Sequence, residues 1–380
     1  MFCPPTEVGG YLNIFLKKLL YIFFILLSLT SFSQTSKWKK WFIDTTPQQK
    51  AIKHDTNFYC KYPDRFIFSL YTSYRSFEMD MDQNMGDAAK KSTALKYKAD
   101  ANNSSGFEID YDKFSVALDY KSSPPDDAHR KGKTSYKGLG LSLGGSKWRL
   151  ESNWRNYKGF YDLNTPGYDT TFKKDTSAYF QNPTLFSNSF KFKFMYFFKN
   201  RKFAYNSSYG YTARQMKSAF SWIFVSNLHV NNMHADTSLI SSYVRSDYGS
   251  YADLNTLKVV GASAGGGASF NLVIWKRFFF NLAFVVGPEI QWRVYGHNTG
   301  EWQTRAYLGS AADLRGALGF NNRNFFITIN ARADYNVYDS GQMNYKSIFY
   351  VASTNIGYRF KVKEPRIMKK IRSFKPYQWL

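Results

Sequence analysis

The stretch Trp148-Arg149-Leu150-Glu151-Ser152-Asn153-Trp154-Arg155, "WRLESNWR", repeats with a period of two. In a β-strand, successive side chains point to opposite faces. Trp148, Leu150, Ser152 and Trp154 then share one face, while Arg149, Glu151, Asn153 and Arg155 share the other. A half-buried strand of a soluble sandwich alternates in this way. A strand of a membrane barrel does so with its apolar face toward lipid and its charged face toward the lumen.

The same alternation recurs from residue 65 to residue 360. Phe66, Phe68, Leu70, Thr72 and Tyr74 form one face, as do Phe114, Val116, Leu118 and Tyr120. Phe190, Phe192, Phe194 and Tyr196 alternate with Lys191 and Lys193. Phe278, Phe280, Leu282, Phe284, Val286, Ile290 and Trp292 oppose Asn281, Glu289, Gln291 and Arg293. Aromatics dominate the apolar faces, over segments near the length that crosses a bilayer when tilted.

The connections also sort by length. Tight ones fall at Asp112-Lys113, Gly144 to Ser146, Lys199 to Lys202, Trp275 to Arg277 and Asn321 to Asn324. Long ones fall at 76–103, 122–133, 158–186, 231–256, 294–304 and 337–345. Long and short alternate throughout if 202–230 is one extended, kinked strand, with Phe203, Tyr205, Ser207, Tyr209 and Tyr211 on one face. A bulge within "RQMKSA" (214–219) then accounts for the parity flip to Phe220, Trp222 and Phe224. Bacterial barrels have short periplasmic turns and long external loops. The expectation is an all-β, transmembrane, antiparallel up-and-down barrel of about twelve strands, within ten to fourteen, with both termini periplasmic.

The bulk composition agrees with this class. Of 380 residues, 19% are aromatic, too many for a disordered chain. The mean hydropathy of -0.44 argues against a bundle of spanning helices. The net charge of +23 raises nucleic acid as a partner. The basic residues are scattered and no finger, basic helix or sheet motif accompanies them, so a phosphate-rich membrane surface is the expected partner instead. Cys3 and Cys60 offer no metal site.

The amino terminus reads as an export signal. Lys17-Lys18 precede the apolar run Leu19 to Leu29, and "SFS" at 31–33 supplies a small-x-small cleavage pattern. Residues 1–33 are the expected cleaved signal peptide, 34–64 a periplasmic segment, 65–360 the barrel, and 361–380 a basic periplasmic tail. Tyr358-Arg359-Phe360 is similar to the terminal signal read by the barrel-insertion machinery.

Five stretches carry a family resemblance: "GFEIDYDKFSVALDY" (106–120), "NYKGFY" (156–161), "KFAYNSSYGYTARQMKSAFSW" (202–222), "LGFNNRNFFITI" (318–329) and "IGYRF" (356–360). The chain resembles domain of unknown function 4421, found in exported proteins of Bacteroidota. Phe220 departs from the family's usual small residue after Ser218-Ala219. The resemblance implies an outer-membrane barrel and no defined activity.

Alternation assigns a charge network to the lumen: Arg149, Glu151, Arg155, Glu289, Arg293, Asp313, Arg315, Arg332, Asp334 and Arg359. It assigns Trp148, Trp154, Phe278, Phe280, Phe284, Trp292, Tyr358 and Phe360 to the membrane face. Three roles follow. A charged, packed lumen serves a structural or ligand-binding protein in contact with outer-membrane lipid and lipopolysaccharide, with no cofactor. A narrow pore lined by excess basic charge favours anions. A hydrolase places a histidine at the rim, where His229 and His297 fall near strand ends. No Gly-x-Ser-x-Gly elbow or His-Glu-x-x-His pair supports the third.

Overall fold

The structure is a computed structural model that describes residues 54–82, 93–121, 127–338, 343–375 and 377. The expected signal peptide lies outside the described residues, as does most of the segment 34–64. The chain divides into two compact units, residues 49–364 and a second that includes Pro365–Trp379.

The strands of the first unit are β1 (Tyr59–Lys61), β2 (Arg65–Asp82), β3 (Leu95–Asp100), β4 (Ser104–Tyr111), β5 (Phe114–Lys121), β6 (Ser135–Gly144), β7 (Trp148–Asp162) and β8 (Gln181–Phe197). They continue with β9 (Ala213–Gln215), β10 (Ala219–His234), β11 (Leu254–Ile274), β12 (Phe278–His297), β13 (Trp302–Asn321), β14 (Phe325–Tyr338) and β15 (Asn344–Lys361). Among the described residues, three single-turn α-helices interrupt the connections, α1 (Ala128–Lys131), α2 (Thr165–Tyr168) and α3 (Asn206–Tyr209), beside a 3-10 helix over Arg245–Tyr251. In the second unit α4 (Arg366–Ser373) is an eight-residue helix. Among the described residues, no helix is long and apolar enough to cross a membrane.

Neighbouring strands pair antiparallel, and β15 pairs with β2 from Asn344↔Asp82 to Lys361↔Arg65. The sheet therefore closes on itself and has no edge, which satisfies every strand's backbone groups internally. β3 and β4 both pair with β2 and form one strand broken at 101–103, where Asn103 has φ 57°. Counting them once gives twelve strands.

The ring narrows along its axis. β5 and β6 span only 8 and 10 residues, against 20 in β12 and β13. Beyond the β5–β6 hairpin β3 pairs directly with β7, at Tyr97↔Asp162 and Lys98↔Tyr161. The turn end thus has twelve strands and the loop end ten. A strand needs about 9–11 residues to cross a bilayer, so the longest strands extend well past it. The apolar belt lies toward the turn end. Successive outward rows on β6, β7 and β8 read Leu143–Leu150–Phe194, Leu141–Ser152–Phe192 and Leu139–Trp154–Phe190. The next row is polar: Lys137–Asn156–Asn188.

One expectation is corrected. Residues 202–230 are not a single kinked strand, and 214–219 is not a bulge. β8 ends at Phe197 and β10 begins at Ala219. Between them the chain turns at 199–202 and runs into the barrel, through α3 and β9, before β10 starts. The physical reason is the backbone reversal at Gly210 and Tyr211. Tyr211 has φ 49°, a left-handed conformation that no continuous strand contains. The strand count survives because the excursion begins and ends at the turn end. The rule of short turns at that end does not. Except between β5 and β6, the connections at the loop end are also shorter than expected; β2 runs on to Asp82 and β3 occupies 95–100 within the expected loop 76–103.

Candidate functional site in the barrel lumen

The lumen is filled in three layers. At the turn end sits a plug, residues 203–215, backed by β1, which pairs with β9 at Tyr59↔Gln215. Its contacts with the wall are mostly polar. Ser208 Oγ donates to Asn271 Oδ1 at 3.1 Å, and the Tyr209 hydroxyl donates to Asn281 Oδ1 at 2.7 Å. Asn330 Nδ2 donates to the Tyr211 hydroxyl at 2.8 Å, and Asn321 Nδ2 to the Ser207 carbonyl at 2.8 Å. Arg359 Nε donates to the Tyr211 carbonyl at 2.8 Å. The Tyr211 ring stacks on Phe326 with centroids 3.9 Å apart. Side chains and carbonyls from Asn206 to Tyr211 thus meet polar partners on the wall, as burial requires.

The middle layer is ionic. Glu151 accepts from Arg315 Nη2 at 3.0 Å and from Arg149 Nε at 2.9 Å. Arg315 Nε also reaches Asp313 at 3.0 Å, and its Nη1 bonds the Tyr205 hydroxyl of the plug. Lys193 pairs with Asp313. Asp334 draws Arg332 at 3.2 Å, Lys191 at 3.3 Å, Lys193 at 3.6 Å and Arg155 at 3.7 Å. Arg149 Nη1 donates to Asn206 Oδ1 of the plug at 2.9 Å, which ties this layer to the first.

The third layer is apolar and aromatic. Residues 235–253 fold inward at the loop end and bury Leu239, Ile240, Val244 and Tyr248 against lumen-facing Met79, Met81, Tyr97 and Tyr157. The Tyr97 hydroxyl donates to the Leu239 carbonyl at 2.7 Å and that of Tyr248 to the Met81 carbonyl at 2.8 Å. Small cavities remain among the described residues, two of them beside the ionic layer. One, of about 190 Å³, lies between Tyr209 and Glu108, Arg149, Glu151, Arg315 and Arg332. The other, of about 60 Å³, is lined by Arg155, Lys191, His229, Asp334 and Tyr345 among others.

Residues 53–360 match a family described as Domain of unknown function (DUF4421). The chain belongs to DUF4421. No curated protein matches it. Among solved structures, this DUF4421 chain is similar to the outer membrane protease OmpT from Escherichia coli, at 7% identity and a TM-score of 0.37, covering 79% of this chain and 98% of that one. It is also similar to the beta domain of the Bordetella autotransporter BrkA, at 11% identity and a TM-score of 0.30, covering 79% and 100%. A third likeness is Ail, the attachment invasion locus protein of Yersinia pestis, at 14% identity and a TM-score of 0.23, covering 60% and 97%. These values imply nothing about activity.

The DUF4421 barrel places the ten charges assigned to the lumen as follows. Arg149, Glu151, Arg155, Asp313, Arg315, Arg332 and Asp334 join in one network. Glu289 stands apart, accepting from Gln291 Nε2 at 3.1 Å and Asn336 Nδ2 at 2.8 Å. Arg293 lies under the loop-end layer, 4.3 Å from the Tyr307 ring centre, with Nη1 donating to the Met343 carbonyl at 3.3 Å. Arg359 belongs to the plug seat, with Nη1 also donating to the Asn322 carbonyl at 2.7 Å. On the outer wall Phe278, Phe280, Phe284, Trp292, Tyr358 and Phe360 are exposed. Trp148 and Trp154 are half-buried among their outward neighbours, Trp148 beside Phe194 and Trp154 donating to Asn188 Oδ1 at 2.7 Å.

His229 is not at a rim. It faces the lumen midway along β10, 3.5 Å from Glu289. His297 does close β12 at the loop end, bonded to Asp253 at 2.8 Å. That bond holds the Asp253 carboxyl below its ordinary range. Among the described residues, no three side chains of metal-binding type come together. Sequence reasoning missed the plug tyrosines and their asparagine seats. The available signal was the row of inward asparagines near the turns, Asn271, Asn281, Asn321, Asn330 and Asn355.

Proposed function

We propose that this DUF4421 chain is an outer-membrane barrel with a closed lumen, structural or ligand-binding in role rather than a pore or an enzyme. The tight-turn end faces the periplasm, with both termini, and the loop end faces outward. Membrane lipid and lipopolysaccharide surround the belt, and the insertion machinery reads the closing strand at Tyr358-Arg359-Phe360. The observation that carries this reading is the plug. It bonds to side chains of β7, β11, β12, β13, β14 and β15 and so crosses the lumen from wall to wall. A solute pathway would need that layer removed.

The test is conductance of the refolded chain in a planar bilayer, with slower migration of the unheated sample on a gel establishing that the barrel has folded. A silent bilayer is expected. Steady anion-selective steps would replace this reading with that of a narrow pore.

A further inference from the structure

We propose that the outer wall of β6 and β7, just beyond the apolar belt, docks the phosphorylated glucosamine headgroup of lipid A. The proposal rests on the reading of the chain as an outer-membrane barrel with its loop end outward.

The register defines the site. Ser135 faces Lys158 and Lys137 faces Asn156 across the β6–β7 pair, all four on the outer surface. Ser135, Lys137 and Lys158 are exposed and Asn156 is half-exposed. Diagonal neighbours on one face of an antiparallel pair lie about 7–8 Å apart. The two ammonium groups, on stems of four carbons, can therefore converge on one phosphate, with the hydroxyl and amide beside them for sugar hydroxyls. Neither ammonium is ion-paired among the described residues. The β2–β3 wall contrasts with this. There Lys98, also facing outward above the belt, is held by Glu78 at 2.9 Å and adds no free positive charge.

The position fixes the class of ligand. The next row toward the turn end is Leu139 and Trp154, and beyond it lie only apolar or small outward side chains down to Leu143 and Leu150. Acyl chains against that surface put a headgroup at the Lys137 row. The row above, with Lys158, and exposed Lys133 on the preceding loop extend the positive surface outward from the bilayer. A phospholipid presents one phosphate at the level of a single row. Lipid A presents phosphate together with sugar hydroxyls over a wider face, which fits a quartet spread over two rows and two strands. The exposed ring of Tyr120, paired with Lys137, supplies an amphipathic flank at the same level.

The test uses the full chain refolded in micelles, wild type and the Lys137→Gln/Lys158→Gln pair. Gel migration before and after heating first shows that both are folded barrels. A chain that never folds would overturn the barrel reading itself. Native mass spectrometry then counts bound lipid A, chemically dephosphorylated lipid A and phosphatidylglycerol. One lipid A per barrel is expected, with affinity about 30-fold weaker in the double variant, the effect of two lysines at an anionic surface. Dephosphorylated lipid A is expected to bind wild type as weakly as lipid A binds the variant. Equal binding of lipid A by wild type and variant, or equal binding of phosphatidylglycerol and lipid A by wild type, would overturn the proposal.

Discussion

Replacing Arg315 with Met separates a dry lumen from a wet one. Arg315 is 5% exposed and donates to Glu151 through Nη2 at 3.0 Å and Nη1 at 3.3 Å, and to Asp313 through Nε at 3.0 Å. Met keeps much of the hydrocarbon volume and removes the charge. Two buried carboxylates then lose their shared guanidinium. Breaking a buried pair by removing one partner costs about 3–5 kcal/mol, because the remaining charge stays desolvated. Arg149 still holds Glu151 and Lys193 still holds Asp313, so the lower end, about 3 kcal/mol, applies here. In a water-filled lumen the same pair is worth about 0–1 kcal/mol. The assay is urea unfolding in lipid vesicles, followed by tryptophan fluorescence and by gel migration. Arg315→Met together with Asp313→Asn is expected to recover part of the loss, since one of the two deprived carboxylates goes too while Lys193 keeps Asp334. A single-variant loss below about 1 kcal/mol would refute the sealed-lumen argument.

Two further perturbations address the plug and the belt. A Cβ at Gly357 would lie 2.1 Å from the Phe326 ring, so Gly357→Val pushes away the ring on which Tyr211 stacks. It should cost about 1–3 kcal/mol and produce bilayer currents that the parent lacks; a variant as silent as the parent would show that Tyr211 does not hold the seal. Phe284→Arg places a charge in the middle of the belt and should cost about 2–4 kcal/mol in vesicles. Trp302→Arg, at the far end of β13, should cost at most about 1 kcal/mol, and equal urea midpoints for the two variants would mean that the belt is misplaced.

Much of the barrel was legible because a strand's side-chain period is two. "WRLESNWR" alone assigned Arg149, Glu151 and Arg155 to the lumen side, and the alternation of tight and long connections led to twelve strands although one supposed tight turn is the excursion between Phe197 and Ala219. Partners were not legible. Nothing in the local pattern says that Arg315, 164 residues along the chain from Glu151, arrives beside it. The plug was misread for a specific reason. Phe203, Tyr205, Ser207, Tyr209 and Tyr211 alternate as a strand does, and tyrosine suits a lipid interface and a polar cavity equally well. Only the reversal at Gly210 distinguishes the two, and a glycine inside a strand pattern is common enough to pass as a bend. The narrowing from twelve strands to ten was hidden likewise. β3, "LKYKAD", is short enough to disappear inside a long connection, and its pairing with β7 depends on where the β5–β6 hairpin stops.

The location of the plug's last anchors bears on how the protein is assembled. Tyr211 is held by Thr328 and Asn330 on β14 and by Asn355 and Arg359 on β15. β15 is also the strand that meets β2 to complete the cylinder. The groups that seat the stopper and the groups that zip the seam are therefore carried on the same strand, the last of the wall in chain order. Until β15 is in place the stopper lacks half of its Tyr211 contacts and the wall has two free edges. Once it is in place both deficits vanish together. Closure of the wall thus also completes the seat of the plug.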